Sequence, residues 1–259
     1  MENLYQRYKN EVKSKVWQDL LSLETKELAK HKDDIQLILD FFVKGMKHNI
    51  EVLSFYLKDS NYVFTKTKEN GVGLITRDPE KEPTYSFTSS SSSMNNMNDL
   101  QYLTKDYGNI PLIFSEVYKE IEYINFEGYF PEWRDRNYLN PIPLLDPIVF
   151  MSLEMVSLMF EINDKSTLVE NDQYYLGFSP TAYTKENTSD DGMYGVFLHK
   201  ENRMDSKMAN YKRDLWFSDY LRNCFDWGGF PGLAYVNNIP NNDSNLELIR
   251  NIRKEMIMI

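Results

Sequence analysis

A chain of 259 residues, 42% hydrophobic and carrying 18 Tyr and 15 Phe, is too apolar and aromatic to stay disordered and long enough to bury its own core. Its formal net charge of −10 argues against a nucleic-acid partner, because binding a phosphate backbone takes clustered Lys and Arg. Cys224 is the one thiol, the Met1-Glu2-Asn3-Leu4 start lacks the marks of a signal peptide, and apolar runs such as Phe41-Phe42-Val43 are far too short to span a bilayer, so a cytoplasmic chain is expected.

In chain order, Val12, Val16, Trp17, Leu20 and Leu21 predict a first helix. Ile35, Ile38, Leu39, Phe42, Val43 and Met46 predict a second over residues 34 to 46, with Asp33 and Asp34 suited to its amino end. Ile50, Leu53 and Leu57 share one face of a third, from His48 to Lys58, after which Tyr62-Val63-Phe64 turns extended. Residues 65 to 109 are punctuated by Gly71, Gly73, Pro79 and Pro83. The run Ser89 to Ser93 followed by Met94-Asn95-Asn96-Met97-Asn98 is too polar to order itself and predicts a mobile surface loop near 88–99.

Pro111 suits the first turn of a helix lined by Ile113, Val117, Tyr118 and Ile121 and ending before Gly128. Strands are expected at Pro147 to Phe150, Tyr174 to Phe178 and Tyr194 to Leu198, the last with alternating faces. Trp216, Phe217, Tyr220, Leu221, Cys224 and Phe225 predict another helix, stopped by Gly228-Gly229. Helices, then strands, then a helix describe an α+β protein. The expected organisation is an N-terminal helical extension (1–47), an α+β domain (48–240) and a C-terminal tail or helix (241–259).

Residues 1 to 60 hold ten basic and ten acidic residues, so the acidic excess, 29 against 19, lies entirely in residues 61 to 259. A basic protein partner would be steered there. His31, His48 and His199 show no metal-ligand spacing, Gly71-Val72-Gly73 lacks a third glycine and a following helix, and Cys224 falls on an apolar helix face. No catalytic residue, metal or cofactor is therefore expected. Two segments stand out: Gly128-Tyr129-Phe130-Pro131-Glu132-Trp133, and Phe225-Asp226-Trp227-Gly228-Gly229-Phe230-Pro231-Gly232. Large aromatics beside turns serve either as interface anchors or as lids on a core.

These segments resemble the SUKH superfamily, in particular the bacterial proteins grouped with the yeast Smi/Knr cell-wall assembly regulator. The likeness runs over about residues 48 to 233. It begins with His48-Asn49-Ile50-Glu51-Val52-Leu53 and Tyr62-Val63-Phe64, then Ile110-Pro111-Leu112 with Phe114 and Tyr118, then Asn125-Phe126-Glu127-Gly128 leading to Pro131-Glu132-Trp133. It continues through Asp146-Pro147-Ile148-Val149, Lys185-Glu186-Asn187, Tyr194-Gly195-Val196, and Tyr220-Leu221-Arg222 on to Trp227-Gly228-Gly229-Phe230-Pro231-Gly232. Glu122-Tyr123 stands where the family has a glycine pair, and the Ser-rich stretch looks inserted.

The resemblance implies a central, mainly antiparallel sheet flanked by helices and a role in protein binding, as in immunity proteins that neutralise a toxin or in regulatory interaction proteins. It implies no catalytic residues. The expected partner-binding residues are Tyr129, Glu132, Trp133, Asp135 and Trp227. Two other readings stand beside this one: a hydrolase pairing carboxylates among Glu132, Asp135 and Asp226, and a scaffold docking through its N-terminal helices.

Overall fold

The computed structural model describes residues 3–11, 13–70, 74–88, 92–135, 145–179, 193–211, 214–235, 240 and 242–259. Four helices open the chain: α1 (Leu4–Asn10), α2 (Lys13–Leu21), α3 (Thr25–Lys30) and α4 (Lys32–Lys58). Helix α1 starts where the Asn3 side chain accepts the Gln6 amide at 2.8 Å. The six periodic residues from Ile35 to Met46 are all buried, as are Val16, Trp17 and Leu20; Val12 lies outside the described residues.

The helices expected at 34 to 46 and 48 to 58 are a single helix of 27 residues, with Ile50, Leu53 and Leu57 continuing the buried stripe. Nothing between them breaks a helix except Gly45, and a Cβ on Gly45 would collide with the Ile259 side chain. The glycine is a notch for the C-terminal segment. A boundary at 47/48 would cut α4 in half, and the N-terminal helices belong to the same core: Trp17 packs on Phe42 with ring centroids 5.2 Å apart, and Tyr8 lies 6.2 Å from Trp17. Separate docking of residues 1–47 would tear that core open.

Strand β1 (Val63–Asn70) pairs with β2 (Leu74–Glu80). Strand β3 (Thr84–Phe87) then leads to α5 (Ser92–Thr104), α6 (Leu112–Glu120), β4 (Ile121–Asn125), β5 (Gly128–Tyr129), α7 (Pro131–Asp135) and β6 (Val149–Phe150). Next come α8 (Leu153–Ile162), β7 (Val169–Glu170), β8 (Gln173–Ser179), β9 (Tyr194–Phe197), β10 (Met208–Ala209), α9 (Phe217–Asp226) and α10 (Ser244–Glu255). The fold is α+β, with antiparallel strands flanked by helices. The strands are divided among three short sheets, in the orders β2-β1-β5, β3-β4-β6 and β10-β9-β8-β7. The Met151 amide donates to the Phe178 carbonyl at 2.8 Å and ties the end of β6 to β8.

Three local expectations are corrected. Met94 to Asn98 is helical, because Met97 and Leu100 are buried and give α5 a core-facing side that composition hides; Ser89 to Ser91 lie outside the described residues. Ile121 starts β4 rather than ending α6. Strand β9 does not alternate: Tyr194, Gly195, Val196 and Phe197 are all buried, since both faces of that sheet are covered.

The C-terminal segment is strapped across α4. Fully buried Asn49 donates to the Ile257 carbonyl at 2.9 Å and accepts the Ile257 amide at 2.7 Å, so one side chain serves both groups of an extended residue. Arg222 Nε donates to the Ile259 carbonyl at 3.0 Å, and its guanidinium lies 4.6 Å over the Trp17 ring. Gly228 and Gly229, at φ +58° and +88°, turn the chain after α9, and a Cβ on Gly229 would strike Leu53 of α4.

Gly229→Ala therefore incurs both a left-handed backbone cost of roughly 1–2 kcal/mol and an overpacking cost of roughly 1–3 kcal/mol. Urea unfolding of this variant is expected to show a loss of about 3 kcal/mol with an unchanged slope. A loss under about 1 kcal/mol would mean that the turn is not held against α4.

Candidate protein-binding face

The two aromatic segments meet in the structure, but mostly inside it. Phe130 and Phe230 lie 5.9 Å apart with Tyr62 at 5.0 and 5.3 Å from them. Trp133, expected as an anchor for a partner, is only 2% exposed: its ring packs on Phe130 at 4.9 Å, and its Nε1–H donates to Asp243 Oδ1 at 3.0 Å. The same Asp243 oxygen accepts the Asn245 and Leu246 amides and caps α10. Trp133 is thus a rivet between α7 and α10, buried because its one polar atom has a partner inside. Tyr129 is half-buried and paired with Val63 across β5 and β1.

Half-buried Glu132 accepts from the side-chain amides of Asn61 and Asn245, the latter at 3.4 Å. These bonds tie α7 to the turn after α4 and the start of α10. Asp226 is exposed at the end of α9. Trp227 is half-buried with the Arg253 guanidinium 5.7 Å over its ring. The side chain of Asp135 and residues Asp190 and Asp191 lie outside the described residues.

One arrangement imitates a hydrolase. His199 Nε2 lies 3.1 Å from Ser206 Oγ. Gln173 Nε2 donates to the Leu198 carbonyl at 2.9 Å, which fixes its amide, and lies 3.3 Å from His199 Nδ1. Burial, and then the charge of Arg203, holds the His199 pKa below its ordinary value. A neutral ring accepting at Nδ1 carries its proton on Nε2 and points it at the serine, the reverse of what a general base needs. Ser206 is fully buried, and its one hydroxyl proton has backbone acceptors in the carbonyls of Phe197 and Lys207, at 3.1 and 3.0 Å. The pair is structural.

Asp205 beside it is buried, and burial pushes its pKa up to about 6 although it accepts from Trp17 Nε1 at 3.3 Å and from the amides of Ser206 and Ser218 at 2.7 and 3.2 Å. A cleft of about 870 Å³ between α4 and α6 has several charges on its wall paired with one another: Lys47 with Glu120 at 2.9 Å, Lys119 with Glu116, and Gln36 bonded to both Asp40 and Glu116. Among the described residues, no three His, Cys, Asp or Glu side chains are grouped to hold a metal ion. No helix among them is long and apolar enough to cross a membrane.

Helix α8 is different. Ser152 Oγ accepts the Met155 amide and starts it, and Lys165 Nζ bonds the Phe160 carbonyl at its far end. At about 100° per residue, Leu153, Val156 and Phe160 form one stripe, and all three are buried. On the opposite side Met155 (42% exposed), Leu158 (45%) and Ile162 (64%), with half-buried Met159, form a second apolar stripe at i, i+3, i+4 and i+7. A helix needs only one apolar stripe to pack on a core, and this one has a second that faces solvent.

One edge of the bare stripe is acidic: Glu154 and Glu161, seven positions apart, are both exposed, and α8 contains no Lys or Arg. On α5, which packs beside α8, Tyr102 is also exposed, with Lys105 Nζ 4.0 Å over its ring. None of these residues was singled out in the sequence. The signal was present, since seven of the ten residues from Leu153 to Ile162 are apolar, more than one face of a surface helix needs.

Asp205 gives a pH prediction for the scaffold that carries this face. Its raised folded-state pKa means that the native state holds a proton the unfolded chain releases between about pH 4 and 6, so stability declines as pH rises through that window. The decline is at most about 3 kcal/mol for this group. Chemical unfolding from pH 4 to 7 should show this component in the wild type and not in Asp205→Asn. Parallel profiles for the two proteins would show that burial leaves the Asp205 pKa where it is in the unfolded chain.

In comparisons with known proteins, no family model, no curated protein and no solved structure matches the chain.

Proposed function

We propose that this chain is a protein-binding module of the kind the SUKH resemblance implies, an immunity-type or regulatory protein that captures a basic partner in the cytoplasm. The observation that supports this reading best is the second apolar stripe of α8. A helix that shows three apolar side chains to water beside half-buried Met159, with a carboxylate edge next to them, has the makings of an interface: a dry centre for affinity and a charged rim for selection. The acidic excess of residues 61 to 259, in which α8 lies, would speed the approach of a basic protein and repel acidic ones.

Affinity capture from the source cells, repeated with Leu158→Asp and with Trp133→Phe, tests the proposal. The expected result is one basic protein retained by the wild type and by Trp133→Phe, which changes only the core, and lost with Leu158→Asp at unchanged circular dichroism. Its association rate should fall about tenfold or more between low and moderate salt, because steering is screened beyond about 10 Å. Retention by Leu158→Asp, or an association rate indifferent to salt, would count against the proposal.

A further inference from the structure

Resting on the protein-binding reading, we infer that α8 takes a helix of the partner, amphipathic, with Lys or Arg about two turns apart along one edge of its apolar ridge. The shape follows from the face itself. A helix has its backbone groups bonded internally and offers no open edge for a strand to add to, so what α8 presents is a ridge of side chains. From Met155 to Ile162 the bare stripe rises about 10 Å over two turns, the length over which a second helix at 8–10 Å between axes interdigitates.

Charge selects among occupants of that shape. Glu154 and Glu161 stand on the same edge, one at about 100° and the other at about 80° around the axis from Leu153, next to Leu158 and away from Met159. Asp164 adds a third exposed carboxylate just past the helix, while Lys165 turns back to cap the carbonyls of residues 160, 161 and 163. Two lysines near this end of the fold are engaged, Lys165 with the helix end and Lys105 with Tyr102. A second copy of this chain packed on α8 would bring the same helix, rich in Glu and lacking Lys and Arg, against this one. An anionic membrane would meet the same repulsion. A helix bearing Lys or Arg seven positions apart meets Glu154 and Glu161 directly while its i, i+3, i+4, i+7 ridge covers Met155, Leu158, Met159 and Ile162.

Fluorescence anisotropy on the full chain tests this with two labelled peptides of about 18 residues. Both carry Leu at i, i+3, i+4 and i+7; one has Lys and the other Glu at the two edge positions. The Lys peptide should bind, the Glu peptide at least about tenfold more weakly. Glu154→Lys/Glu161→Lys should weaken the Lys peptide about tenfold and strengthen the Glu peptide, and Leu158→Asp should abolish both. Circular dichroism and melting of each variant separate these effects from misfolding.

Equal affinity for the two peptides, no binding of either, or indifference to the charge reversal would overturn the inference. So would a wild-type dimer in sedimentation that Leu158→Asp dissociates, or cosedimentation with vesicles of phosphatidylcholine and phosphatidylserine. If both peptides fail while Leu158→Asp still loses the natural partner, the face binds something other than a basic helix and the protein-binding reading stands. If the natural partner is retained by Leu158→Asp, that reading falls with it.

Discussion

Helix α4 carries one buried stripe through its whole length, and the rest of the chain is arranged around that constraint. Its stripe from Ile35 to Leu57 forms the middle of the core, and its remaining sides are claimed in turn. Phe41 and Phe42 receive Tyr8 and Trp17 from the first two helices, Lys47 bonds Glu120 of α6, Leu53 meets Gly229, and Gly45 and Asn49 receive the C-terminal segment. Elements far apart in sequence share one spine. That is why the N-terminal helices share the core of the strands and helices that follow, and why the buried stripe of α4 is packed from one end to the other.

Burying polar atoms in such a core requires partners for them, and two tryptophans show how this is met. Trp17 Nε1–H is bonded to Asp205 and Trp133 Nε1–H to Asp243. In each case the carboxylate also accepts backbone amides, of Ser206 and Ser218 in the first and of Asn245 and Leu246 in the second. Each aspartate thereby joins two distant segments through one indole. The same logic explains Asn49 and Glu132, whose side chains serve neighbours and keep buried or half-buried backbone and amide groups satisfied. Groups that look like chemistry in the sequence are, in this fold, mostly solutions to desolvation.

Against that background α8 is the exception, because its outer apolar stripe is unmatched while its inner one is packed. Leu153, Val156 and Phe160 are the buried side of the helix, and half-buried Met159 packs beside them. Met155, Leu158 and Ile162 add nothing to the core and cost solubility, which is the usual mark of a surface kept for another molecule. Its acidic edge and the charge of the chain as a whole agree in sign, so on the proposed reading long-range attraction and local fit would favour the same class of partner.

Periodicity in the sequence determined the elements whose pattern is strong: the buried stripe of α4, the start of α6 at Pro111, and α9 with its two-glycine stop. These depend on spacing and backbone freedom, which are local properties. The sequence also determined the net acidity of the chain. Tertiary structure alone decided the rest. Ser92 to Thr104 became a helix because Met97 and Leu100 found a core to enter, and α4 ran unbroken because Ile259 fills the notch at Gly45. Trp133 went inside because Asp243, more than a hundred residues away, accepts its proton. Which stripe of α8 would be covered and which left bare was likewise settled by the sheet and helix packed beneath it. An apolar residue carries the same free energy of transfer wherever it stands in the chain, and only the packing of distant segments determines whether it is realised within the fold.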